Sequence, residues 1–199
     1  MRKDIEKSLN SDLTQASKAL TDTILFKVNA EKAIEVILWF CSQNANNKVN
    51  IYNVLKSIFY AEIDHLNRYG RPIIGDSYMA MDYGTVPSLT YDLIRKNKLA
   101  LSKHQIKELP LSSDGNYVIG SRKYNEKYFS KSDLKCLSDA YEKYGKLPFG
   151  KLQNVNHEHP AWKETRKHSP DSRIPFECLI KDNQELIEEL KLTSRNLVI

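Results

Sequence analysis

The chain is predicted to be mainly α: a compact helical domain with a small β-hairpin or minor antiparallel sheet. Three observations carry that expectation. Apolar residues recur at helical spacing behind good N-cap residues at Asn29, Asn50 and Ser130. Glycine and proline gather where those stripes stop, at Gly70, Pro72, Gly75, Gly84, Pro87 and Gly145. Hairpin chemistry occurs around Asp114-Gly115, between the apolar pairs Ile106/Leu109 and Tyr117/Ile119.

In chain order, Asn29 with Glu31 in the first turn opens a helix whose run Ala33 to Cys41 is apolar on nearly every face, the mark of a central, buried helix. Polar residues from Ser42 break the pattern. Asn50 then caps a second helix with Ile51, Leu55, Ile58, Phe59, Ile63 and Leu66 in phase, and Gly70 stops it. Pro72 biases Arg71 away from helix, so Arg71 to Asp76 reads as extended chain and turn, followed by a short strand or turn at Tyr78 to Met81. Pro87 or Ser88 opens a helix over Leu89 to Lys96. Ser130 with Asp133, or Ser132 alone, caps a helix running to Tyr144. Asp182 with Glu185 suggests a second capping box, ahead of Leu186, Ile187 and Leu190 in a last helix. The first ~25 residues alternate charges without a clear apolar stripe, so 1–28 reads as an N-terminal arm or loosely docked helix, and 29–199 as one domain with a C-terminal helical extension.

At 199 residues, 41% hydrophobic and 28% charged, the composition excludes disorder and fibrous classes. The longest apolar run, Val36 to Cys41, is far short of the ~20 residues of a membrane span, and the start MRKDIEKSLN lacks an apolar signal core. A cytoplasmic protein with no membrane partner is therefore expected. Three widely spaced cysteines argue against a disulfide framework and read as reduced, small apolar side chains. The net charge of +5 is regional: Arg95 to Lys151 holds 13 Lys or Arg against 6 Asp or Glu. Those lysines are spaced singly, as on a solvated surface.

Three stretches in order are similar to one known domain family. The first is Lys56-Ser57-Ile58-Phe59-Tyr60-Ala61-Glu62-Ile63-Asp64-His65-Leu66. It leads into Tyr69-Gly70-Arg71-Pro72-Ile73-Ile74-Gly75-Asp76 and Tyr78-Met79-Ala80-Met81-Asp82-Tyr83-Gly84-Thr85-Val86-Pro87-Ser88, with Tyr91 following. The third joins Ser132-Asp133-Leu134, Tyr144-Gly145 and Phe149 to Leu152, His157, Pro160, Ala161 and Trp162. Over about Asn50 to Lys167 the chain resembles the Panacea (SocA-like) antitoxin domain. It departs from that pattern at Thr85, where the family usually has proline, a change expected to loosen the turn.

The resemblance implies a bacterial or phage antitoxin that neutralises a cognate protein toxin by direct binding, the toxin being encoded next door and, for many members, inhibiting translation. No enzymatic activity and no cofactor are expected. Asp64, His65, Tyr69, Gly70, Arg71, Pro72, Gly75, Asp76, Met81, Tyr83, Gly84, Val86, Pro87, Tyr91, His157 and Trp162 are the motif residues. A scaffold that meets unrelated toxins is expected to spend them on folding, which makes them poor choices for toxin contacts. Tyr60, Tyr69, Tyr83 and Tyr91 read accordingly as semi-buried supports.

Other readings compete. An adaptor that delivers a toxin to an ATP-dependent protease shares the same surface requirements. A metal-dependent hydrolase would need His65 to meet the His157-Glu158-His159 run, although no HExxH spacing exists and helix neighbours point ~100° apart. Histidines that join buried helices through both ring nitrogens fit better. The cysteines lie in apolar helical patterns that would raise their pKa, against nucleophilic use. Nucleic-acid binding by tyrosine stacking is disfavoured, and no recognition-helix unit is visible.

Overall fold

The computed structural model describes residues 23–197 and 199, and it is mainly α with two small antiparallel sheets. The helices are α1 (Ala30–Ser42), α2 (Ile51–Tyr69), α3 (Ser88–Ile94), α4 (Lys98–Lys103), α5 (Lys131–Tyr144), α6 (Phe149–His157), α7 (Pro160–His168) and α8 (Gln184–Thr193). The strands are β1 (Lys48–Asn50), β2 (Tyr78–Met81), β3 (Gly84–Pro87), β4 (Leu111–Asp114) and β5 (Tyr117–Gly120). They form a three-stranded sheet in the order β1-β5-β4 and the hairpin β2-β3.

The N-caps act where the sequence puts them. Asn29 accepts from Lys32 N, Asn50 from Tyr52 N and Asn53 N, and Ser130 with Asp133 closes a reciprocal capping box. α1 is buried from Lys32 to Cys41, as its all-round apolar sequence requires, and packs on α3 and β5. α2 lies across α5, β3 and α6. One apolar cluster gathers around α1 and the first half of α2, and a second joins Phe59, Ile63 and Leu66 to Tyr78, Ala161 and Phe176.

Several boundaries differ from the sequence reading, each for a local reason. The expected helix over Leu89 to Lys96 ends at Ile94, because Lys96 takes a left-handed backbone (φ 54°), and Asn97 caps the separate helix α4. The first hairpin strand is Leu111–Asp114, not Ile106 to Leu109, since the pairing runs directly outward from the Asp114-Gly115 turn. The last helix is capped by Asn183, whose side chain accepts from Leu186 N; Asp182 sits at φ 45° outside it. Gly145 keeps right-handed angles and is needed for space, because a Cβ there would lie 2.3 Å from the Tyr141 ring. The three cysteines are free thiols, Cys41 and Cys136 buried and Cys178 exposed.

Of the arm expected over 1–28, residues 1–22 lie outside the described residues. Residues 23–28 form no helix or strand and are tied to the C-terminal part of the chain. Ile24 is buried and its N–H donates to Glu177, Leu25 N donates to Ser194, and the Phe26 ring meets Phe176 edge-on at 4.7 Å.

Candidate interaction cleft

The motif residues separate into an inward set that ties the helices together and an outward set that lines a cleft. The inward set begins at Asp133, buried at the start of α5. Its carboxylate receives Lys32 at 3.0 Å, His65 at 3.1 Å, Arg71 at 3.1 Å and the Ser130 N–H at 2.9 Å. Burial alone would raise its pKa, but the hydrogen bonds from His65, Ser130 and Lys32 outweigh that and hold the carboxyl well below its usual range. The Nδ1–H of His65 donates to the Arg71 carbonyl at 2.7 Å, and Nε2 meets the Ser132 hydroxyl at 3.0 Å. The imidazole thus joins α2, the following turn and α5 through both nitrogens.

Asp76 works the same way on the next turn, accepting from Leu89 N, Thr90 N and the Thr90 hydroxyl to cap α3 in place of a local N-cap. Glu62, fully enclosed, accepts from Ile74 N, and burial pushes its pKa up to about 8. Gly70 and Gly75 take the left-handed angles of these turns at φ 68° and 75°. Asp64 is at the helix surface, paired with Arg68, and Pro72 is buried.

The β2-β3 hairpin carries the outward set. Tyr78 and Ala80 point inward along β2, so Met79 and Met81 must point out. From behind, Trp162 donates to the Met81 carbonyl at 3.0 Å, while Arg166 donates to the Ala80 carbonyl at 3.2 Å and pairs with Asp82. Trp162 in turn stacks on His157, with ring centroids 4.0 Å apart. At Gly84, φ 96° and the approach of Asn156 Oδ1, 2.1 Å from where a Cβ would be, leave room only for glycine. Thr85 does not loosen the turn as expected. Its N–H donates to Asn156 Oδ1 at 2.6 Å and its hydroxyl accepts from Asn156 Nδ2 at 3.0 Å, a closed pair that proline, lacking the N–H, could not make.

In front of the hairpin lies a cleft of about 1040 Å³ bounded by the start of α2, the hairpin, α3, the tip of β5 and the segment Gly145 to Phe149. Asn53 fixes that last segment by donating to the Tyr144 and Leu147 carbonyls. The walls are Met79, Met81, Tyr83, Val86, Tyr91, Tyr117 and Phe149, around Tyr52. Tyr52 donates to the Tyr83 carbonyl at 2.9 Å and packs its ring 4.6 Å from Phe149. Arg95, stacked on Tyr91, and Lys146 stand at the rim, so the regional basic surplus reaches the cleft.

At the floor, Lys56 lies one turn after Tyr52 on the same face of α2 and is only 1% exposed. Its Nζ donates to the Thr85 carbonyl at 2.6 Å and sits 4.7 Å from the Tyr52 ring centroid. It has no carboxylate partner among the described residues. Burial pushes its pKa down to about 7.

Two expectations therefore need correction. Tyr83 is 64%, Tyr69 48% and Tyr91 38% exposed, none of them a semi-buried support, because the hairpin turn projects Tyr83 past the body, Tyr69 ends α2 at the surface and Tyr91 lies on the outer face of α3. Met81, Tyr83 and Tyr91 belong to the motif yet face solvent along one cleft, so the motif cannot be treated as uniformly internal. The sequence does carry a signal for this: both faces of Tyr78-Met79-Ala80-Met81 are apolar, and Lys56 interrupts the apolar face Tyr52-Phe59-Tyr60-Ile63. His65 and His157 are committed to different neighbours, and among the described residues no three His, Cys, Asp or Glu side chains cluster as metal ligands do. No described helix is long and apolar enough to cross a membrane.

No curated protein and no solved structure matches the chain. The family model described as antitoxin SocA-like, Panacea domain matches residues 54–163, which run from the first turn of α2 through the hairpin to Lys163 in α7 and so take in most of the inward network and most of the cleft walls. The chain belongs to the SocA-like Panacea antitoxin family.

Proposed function

We propose that the protein is an antitoxin that neutralises a cognate protein toxin in the cytoplasm by direct binding, and that the toxin docks on the cleft in front of the β2-β3 hairpin. One observation carries the location. Five of the nine exposed large hydrophobic side chains among the described residues, Met81, Tyr83, Tyr91, Tyr117 and Phe149, line this cleft. Singly exposed apolar residues need no explanation, but a cluster of this kind marks an interaction site. Tyrosine, methionine and a rim arginine are also the residue types enriched where protein partners bury their contacts. Family membership supports a toxin as the partner.

The inward network has a different task in this reading. Asp133, His65, Asp76 and Asn156 hold α2, α3, α5 and the hairpin in fixed relation, so the aromatic side chains are presented ready placed and little ordering cost is left to binding. The test is co-expression with the product of the neighbouring reading frame. The double variant Tyr83→Ala/Phe149→Ala is expected to lose growth rescue and co-purification while its circular dichroism and melting temperature stay near those of the unaltered protein. Undiminished rescue by a variant whose cleft has lost both rings would overturn the location. Loss of rescue on deletion of a host protease, with binding intact, would point to delivery instead of direct neutralisation.

A further inference from the structure

The cleft is apolar along its walls but ends on a buried lysine amine. Lys56 is enclosed by Tyr52, Thr85 and the hairpin; among the described residues its single hydrogen bond goes to a neutral carbonyl and no acidic side chain pairs with it. The other buried ionisable groups around α2 among the described residues are differently arranged: Lys32 pairs with Asp133, and Glu62 accepts from the Ile74 N–H. A buried ammonium without a counter-charge is costly to the fold, and such violations of ordinary packing collect where a protein binds something. The remaining charges of the cleft favour an anion. Arg95 and Lys146 stand at its rim, Asp92 is the one acidic residue of the lining and is engaged by Asn97, and Asp82 of the hairpin turn is engaged by Arg166.

We infer that the cleft takes an apolar segment of the toxin that carries an acidic side chain, and that this carboxylate pairs with Lys56 Nζ at the floor. The inference rests on the reading of the cleft as the toxin site and adds the chemistry of the occupant. Aromatic and methionine walls cover the apolar residues of the segment, while Lys56 supplies a fixed-depth charge that rejects a neutral or basic residue at the same place. Entry of the carboxylate requires the Tyr52 ring to move off Nζ, against its hydrogen bond to the Tyr83 carbonyl and its packing on Phe149. The Tyr52 ring lies against the amine from its own helix, Asn156 and His157 of α6 are its neighbours behind the hairpin, and Asp92, Arg95 and Lys146 line the same cleft. Among these, the Lys56 amine is the group that gains a proton when an anion arrives.

The experiment is calorimetry of the co-purifying toxin binding to the unaltered protein, to Lys56→Met and to Tyr83→Ala, at pH 8 in two buffers of different ionisation enthalpy. The unaltered protein is expected to take up a proton on binding. Lys56→Met is expected to bind at least about 30-fold more weakly, as for truncation of one member of a buried charge pair, and to take up none. Replacing the toxin's Asp and Glu residues one at a time by Asn and Gln is expected to reveal one position that weakens binding to the unaltered protein but not to Lys56→Met. Loss of affinity in Tyr83→Ala with full affinity in Lys56→Met would refute the acidic anchor and leave the cleft as the docking site. Full affinity in both variants would refute the cleft itself. Salt-sensitive binding of single-stranded DNA that competes with the toxin would refute a protein segment as the sole occupant.

Discussion

Replacing Lys56 by methionine is expected to make the folded protein more stable, although it removes a charged residue at the heart of the cleft. The amine's pKa falls from its ordinary 10.5 to about 7 in the folded chain. At ~1.36 kcal/mol for each tenfold in proton affinity, keeping this lysine costs the fold about 4 kcal/mol at pH 7. Methionine fills nearly the same volume without that cost, but it leaves the Thr85 carbonyl without its donor, a loss of about 1–3 kcal/mol. The net expectation is a gain of about 1–3 kcal/mol, or roughly 3–10 °C in melting temperature for a chain of this size. Because the folded pKa lies below the unfolded one, the unfolded chain holds more protons between pH 7 and 10.5. The unaltered protein should therefore gain stability across that window, and its deficit against Lys56→Met should shrink. Urea unfolding of both proteins at about pH 7 and about pH 9.5, followed by circular dichroism, measures the gap directly. A variant less stable at the lower pH, or a gap that does not narrow at the higher one, would show that the lysine is not held at a cost.

Two further substitutions probe the inward network. Asp133→Asn should destabilise by about 3–5 kcal/mol, because it removes the carboxylate partner of Lys32 and His65 in a buried site and of the half-buried Arg71. The same carboxyl is held below its usual pKa, so its contribution is present above the unfolded value near 3.8 and lost as pH falls; the Asp133→Asn variant should lack that part of the acid transition in pH-dependent denaturation. Glu62 behaves oppositely. Its raised pKa keeps the proton on in the folded state, so stability present below pH 4.5 is lost as pH rises towards about 8, and Glu62→Gln should flatten stability over that window while the unaltered protein declines. A parallel decline in both proteins would mean that Glu62 is already ionised in the fold.

Local chemistry made the helices legible. Asn29, Asn50 and the Ser130/Asp133 box are side chains that satisfy backbone N–H groups a few residues away, so their meaning is contained in short windows of sequence. Strand β1 and helix α4 were not legible, because three residues of strand are stabilised by pairing with β5 far along the chain, and α4 depends on a left-handed turn at Lys96. The histidine reading had the right chemistry for His65, yet its partners Ser132 and Asp133 lie 67 and 68 positions on and become neighbours only when α5 packs across α2.

The cleft was hidden for another reason. Resemblance marks residues as belonging together without saying which way they face, and within one motif Asp76 and Thr85 point in while Met81, Tyr83 and Tyr91 point out. Only the pleat of β2 and the bracing of the hairpin by Trp162 and Arg166 decide this. Lys56 has the same history. On a helical wheel it interrupts an apolar face, which a solvated lysine could do by reaching out to water, and it is the hairpin laid over α2 that closes off that escape.

Hydrogen–deuterium exchange of the protein alone and bound to its co-purifying toxin tests the cleft most directly. Protection on binding should concentrate in Asp82 to Arg95, Gly145 to Phe149 and the first turns of α2. Protection confined to α8 or to the far face of α1, with those three segments unchanged, would place the toxin elsewhere on the molecule.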